Sequence, residues 1–171
     1  MERARQLLGD LLILLTLAVI AGGVFLGSHY AITDDLKVYS GSYEPLRGVM
    51  MPEVYEPALT TSFEVRGGLL TRQLHSTWST TLLVGLVIWA AIGRYAYALP
   101  AFALACVAAF AGMQLGEGNP PVPVWFAVHV VATVAMAAIL GYSSWREARE
   151  RPISFGYVAA GVGVLVALGL I

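Results

Sequence analysis

Apolar residues gather along this chain into five runs: Leu11 to Ser28, Leu69 to Ile92, Tyr97 to Leu115, Val122 to Tyr142 and Ile153 to Ile171. A bilayer-spanning helix needs ~20 mostly apolar residues, so each run is long enough or nearly so. The pattern predicts an all-α polytopic membrane protein. Residues 1–142 are expected to form a four-helix transmembrane bundle, and residues 143–171 a loop and a C-terminal transmembrane helix. Between the first two runs, residues 29–67 are polar and carry Pro45, Pro52 and Pro57. A connection of that length predicts either an ordered cap with little regular helix or a polar linker. Pro120, Pro121 and Pro123 fix the entry into the fourth run, because proline is tolerated in the first turn of a helix.

Composition agrees with the pattern. Of 171 residues, 58% are hydrophobic and 12% charged, and the mean hydropathy is +0.73, far too apolar for a soluble domain of this length. A net charge of −1 gives no clustered basic face, which excludes a nucleic-acid partner. The lone Cys106 can form no internal disulfide. The start, MERARQLLGDLLILLTLAVIAGG, shares its basic lead and apolar core with signal peptides, but the core is longer than theirs and is expected to remain as the first span.

Lys and Arg resist translocation and stay on the cytoplasmic side. An inside N-terminus puts Arg3, Arg5, Arg94, Arg146, Arg149 and Arg151 inside, and Lys37, Arg47, Arg66 and Arg72 outside. The expected location is the plasma membrane, with the long loop and the C-terminus outside. The second and fourth spans then both start at the outer face.

An ionisable residue inside an apolar span is expensive and marks function, with a partner to be named. Two spans carry one histidine each: His75, six residues after Leu69, and His129, seven after Val122. At 1.5 Å per residue each lies about 9 to 10 Å below the outer end of its helix. Two imidazoles at one depth can hold a haem iron, whereas zinc and copper sites want three or four ligands. The bland alternative is that each ring bonds to a nearby carbonyl or a buried water. Arg72 shares a helix face with His75 and can pair with haem propionates or simply snorkel to the interface. Trp78 and Phe126, each three residues from a histidine, can flank a porphyrin. The other large aromatics, among them Trp89, Trp125, Trp145 and Tyr142, fall near span ends as an interfacial belt. His29 reads as an interfacial or loop residue.

The long loop after the first span, His75 early in the second, the Pro-containing turn after the third and VWFAVHVVATVAMAAIL in the fourth resemble one four-helix unit of the haem A synthase family. That family places a histidine in the second and fourth helices of each unit, facing one haem near the outer surface. Its catalytic unit carries Glu-x-x-His-Arg, and the matching residues here are Arg72, Gln73, Leu74, His75 and Ser76. The resemblance implies a half-size unit with its haem ligands and without its catalytic glutamate. The function expected is a haem-binding transmembrane subunit of an aerobic respiratory complex, with a b-type or a-type haem. Its partners are expected to be other membrane subunits or further copies of itself, with the lipid bilayer around them. The alternatives are an active half-size synthase converting haem O to haem A, and a cofactor-free structural subunit.

Overall fold

The computed structural model describes residues 2–93, 95–150, 157 and 159–163. The expected fifth span, Ile153 to Ile171, lies largely outside the described residues. The protein is an all-α polytopic membrane protein, with a small hairpin in its cap. Four helices are long and apolar enough to cross a membrane: α1 (Glu2–Gly27), α3 (Gly68–Ala91), α4 (Tyr95–Gly116) and α5 (Val122–Glu150). Around the bundle α3 packs on α1 and α4, and α5 packs on α4 and α1. Helices α3 and α5 are therefore diagonal partners across the bundle axis.

Close packing comes from small residues. Helix α4 buries Ala98, Ala101, Ala105, Ala108 and Ala111 along one stripe. Small side chains let helix backbones approach inside lipid, where apolar burial alone gives no drive to associate. The core sits in the half of the bundle nearer the N-terminus, where Leu12, Leu15, Leu82, Leu86, Met136 and Leu140 surround Trp89. Trp89 is only 1% exposed, which corrects its expected place in an interfacial belt. Its indole lies over Gly9, whose missing side chain leaves the space.

Two helices outrun their apolar segments. Helix α1 starts at Glu2 instead of near Leu11, and α5 continues past Tyr142 to Glu150. The extra turns are polar and pair with each other. Arg5 lies 3.2 Å from Glu147, itself 2% exposed, and the Asp10 carboxylate accepts hydrogen bonds from Ser144 and Tyr157. Hydropathy cannot see such pairing, so the run lengths fell short of the helices.

The connection after α1 is an ordered cap. Strands β1 (Leu36–Val38) and β2 (Met50–Pro52) form an antiparallel hairpin, and helix α2 (Tyr55–Phe63) follows. The nine-residue α2 is more regular helix than the prolines suggested, because Pro57 falls in its first turn, where no N–H is needed. Hydrogen bonds that tie the cap to the bundle include Tyr30 to the Leu115 carbonyl at 2.7 Å, Tyr55 to the Glu117 carbonyl at 2.6 Å, and the Val122 N–H to Asp34 at 2.6 Å. Gly68 opens α3 against the α2 backbone, and a Cβ there would overlap the Thr61 carbonyl.

Candidate cofactor-binding site

Both α3 and α5 begin at the cap end, and both place their histidine seven residues in: His75 after Gly68, His129 after Val122. Diagonal helices in the same direction bring the rings to one depth across the axis. The ring centres are 6.2 Å apart with their planes at 55°. Each ring is fixed by a helix other than its own. His75 Nδ1 lies 3.0 Å from the Val19 carbonyl of α1, and His129 Nδ1 lies 2.8 Å from the Ala108 carbonyl of α4. A carbonyl only accepts, so Nδ1 is the donor in both rings.

Glycines seat the two rings. A Cβ on Gly23 would stand 3.1 Å from His75 Cε1, and one on Gly112 would stand 3.2 Å from His129 Cε1. Nearly four turns away, the bundle reuses this register with other residues. Gly9 meets Trp89, and Ala98 and Ser143 are fully buried. The indole fills that space. Trp89 Nε1 and Ser143 Oγ are buried there with no hydrogen-bond partner among the described residues.

The histidines line a cavity of about 580 Å³ that runs up to the cap. Arg72 lines it and donates to Ser62 Oγ at 3.2 Å. Phe126 lines it and stacks on Tyr30, ring centres 6.5 Å apart and planes at 12°. His29 reaches its mouth, with Nδ1 2.9 Å from the Phe25 carbonyl. Burial, and then neighbouring Tyr55, push the Tyr30 hydroxyl up to about 12, so it stays a protonated donor. Trp78 does not join the lining and packs half-buried beside the core. The sequence expectation thus brings together His75, His129, Arg72 and Phe126, and leaves Trp78 apart. It missed Gly23, Gly112, Tyr30 and Tyr55. Two carbonyls, of Val19 and Ala108, carry no side-chain signal at all. The pair Gly22–Gly23 inside an apolar helix was the one available hint, since glycine in a helix interior needs a packing reason.

Among the described residues no group of three or more His, Cys, Asp or Glu side chains could hold a metal ion. What the site offers is two imidazoles from opposite walls, with ring centres 6.2 Å apart.

Comparison with known proteins gives the chain its setting. It is similar to proteins named cytochrome bc1 complex cytochrome b subunit. The one from Corynebacterium diphtheriae is 37% identical over 82 residues, 48% of this chain and 15% of that protein. The Streptomyces coelicolor protein is 38% identical over 82 residues, again 48% and 15%, and the Corynebacterium efficiens protein is 40% identical over 78 residues, 46% and 14%. The match thus spans about 15% of the length of these relatives. No family model matches. The resemblance to the haem A synthase family is corrected by these matches. A histidine in the second and fourth spans after a long loop is the pattern of any bundle that sets two imidazoles across its diagonal, and it does not single out the synthases.

Proposed function

We propose that the chain is a haem-binding membrane subunit of a respiratory electron-transfer complex, with one b-type haem between His75 and His129. The observation that carries the reading is the 6.2 Å between the imidazole centres. An iron between two imidazoles sets their centres about 6 Å apart, since a metal–nitrogen bond is about 2 Å and the nitrogen lies about 1 Å from its ring centre. The site fits the group in other respects. A cavity of about 580 Å³ falls within the roughly 300–1,000 Å³ of small-molecule and cofactor sites. Gly23 and Gly112 keep both ligand rings clear of their neighbours. The cytochrome b naming of the relatives favours the b-type group over the a-type.

When bound, haem supplies one-electron oxidation and reduction at its iron. The residues of this chain hold and tune it. His75 and His129 would hold its iron, and the Val19 and Ala108 carbonyls, each within hydrogen-bond distance of an Nδ1, fix the orientation of the two rings. Arg72, one turn nearer the cap, would be placed to pair with a propionate carboxylate. Phe126 and Tyr30 close the cap end against water. Other membrane subunits of such a complex are its partners. The cap faces outward and the N-terminus inward, as the basic short loops favour.

The test is a reduced-minus-oxidised absorption spectrum of the purified protein. Wild type shows Soret and α bands, and His129→Ala and His75→Ala lose them with the helices intact. A wild-type spectrum without these bands, or a His129→Ala variant with full haem content, would leave a cofactor-free structural subunit.

A further inference from the structure

The layer that holds the histidines recurs along the bundle. Helices α3 and α5 run away from the cap and α1 and α4 run toward it. A step of seven residues forward on the first pair, and back on the second, therefore reaches one common depth. In a left-handed bundle the same step returns each side chain to its inward seam. The histidine layer is Gly23, His75, Gly112 and His129. One step further in stand Thr16, Leu82, Ala105 and Met136, and a second step reaches Gly9, Trp89, Ala98 and Ser143. At 1.5 Å per residue the third layer lies about 21 Å below the first.

The first and third layers are built alike. In both a glycine of α1 meets a ring of α3: Gly23 faces His75, and a Cβ on Gly9 would stand 3.4 Å from Trp89 Nε1. In both α4 contributes a small residue, Gly112 in one and Ala98 in the other. What differs is the space inside. The histidines line a cavity of about 580 Å³, whereas no residue of the third layer lines it, and Trp89, Ala98 and Ser143 are fully buried. The middle layer is buried too. Its one hydroxyl, on Thr16, donates to the Leu12 carbonyl of its own helix at 2.7 Å, so Leu82, Ala105 and Met136 form an apolar floor under the cavity.

We infer that the third layer is a closed copy of the ring seat, plugged by Trp89, so that this chain carries one redox cofactor and exchanges electrons at the cap face alone. The inference rests on the haem reading and adds to it the number of groups and the direction of electron traffic. The chain has three histidines, and the third, His29, stands at the cavity mouth, so the inner seat has no imidazole pair of its own. His75 is seven residues from the cap end of α3 and sixteen from the other end, about 10 Å against about 24 Å. The longer way is filled by the apolar floor and the indole. One electron therefore arrives from a donor whose redox group reaches the cap mouth, and it leaves to an acceptor on the same side. Transfer between the two membrane faces falls to other subunits.

The experiment places the full chain in sealed liposomes, where some copies insert with the cap outward. Trypsin added outside cleaves at Arg47, exposed in the cap, only in those copies. A membrane-impermeant one-electron reductant is added to a parallel sample. Expected are one haem per chain and a reduced fraction equal to the cleaved fraction, rising to all of the haem once detergent opens the vesicles. Trp89→Phe, which keeps an apolar ring in the inner seat, is expected to leave both values unchanged. Wild-type protein without haem would overturn the haem reading, and this inference with it. With haem present, a second haem per chain, reduction of copies whose cap faces inward, or a Trp89→Phe variant of intact helix content that alters either value would overturn this inference alone.

Discussion

Gly23 on α1 leaves the space that the imidazole of His75 on α3 occupies, with a virtual Cβ only 3.1 Å from the ring. Gly112 on α4 does the same for His129 at 3.2 Å. These contacts are tighter than ordinary packing, so an added methyl must move a ring held by a hydrogen bond to the same neighbouring helix. Gly23→Ala and Gly112→Ala are each expected to lower haem content and shift the reduced α band, at a folding cost of about 1–3 kcal/mol for overpacking. Haem-to-protein ratio by pyridine haemochromogen assay checks the first effect and visible spectroscopy the second.

Trp89 fills the core where the histidine register recurs. Trp89→Ala removes a side chain that is 1% exposed and is expected to destabilise the bundle by about 3–5 kcal/mol. Because the indole is about four turns from the imidazoles, the haem spectrum should be unchanged while the protein remains folded. Thermal unfolding in detergent, followed by helix content and by Soret absorbance, separates the two.

Arg5 and Glu147 lock the first turns of α1 to the last turns of α5. Glu147 is 2% exposed and the Arg5 side chain 18%, so breaking the pair strands a nearly buried charge. Glu147→Ala is expected to cost about 3–5 kcal/mol. The double replacement Arg5→Met with Glu147→Leu should recover most of that loss, because an apolar pair of similar volume needs no compensation. Unfolding of the single and double variants is the measurement.

In the cap, Lys37 bridges to Glu56 at 3.1 Å, and Ser40 adds a hydrogen bond to the same carboxylate. The hydrogen bond from Lys37 holds the Glu56 carboxyl below its ordinary range, and Glu56 holds the Lys37 ammonium above its own. For a depressed carboxyl the stabilisation is present at neutral pH and is lost as pH falls through the folded value. For a raised ammonium it is present below the unfolded value and is lost as pH rises through the folded one. The tie between the hairpin and α2 should therefore hold across neutral pH and loosen at both extremes, by a small amount because Lys37 is exposed to solvent. Hydrogen exchange of residues 36–56 against pH tests this, and Glu56→Gln should remove the acid limb.

Most of the transmembrane frame was legible in the sequence, because apolar runs at bilayer length leave little else for them to be. The predicted start of the second run at Leu69 and of the fourth at Val122 fall within one residue of α3 and α5, and the equal depth of His75 and His129 follows from those starts. Hidden were features that depend on what a residue touches. Arg5, Asp10 and Glu147 look like the end of a span until they are seen to be satisfied by one another or by Ser144. Trp78 and Phe126 stand at the same three-residue distance from a histidine, yet only Phe126 reaches the cavity, because Trp78 turns to the core. A helix carbonyl such as that of Val19 has no signature in a string of letters. The kinship expected from motif layout failed for a related reason: spacing records where ligands stand, not which ancestor placed them there.

Since the ring borne by α3 is oriented by α1, and the ring borne by α5 by α4, no pair of helices holds both rings and both of the carbonyls that orient them. Pulling away any one of the four would leave an imidazole free to spin or would remove it outright. If the two rings hold a haem, its capture and the completion of this four-helix frame would be a single event.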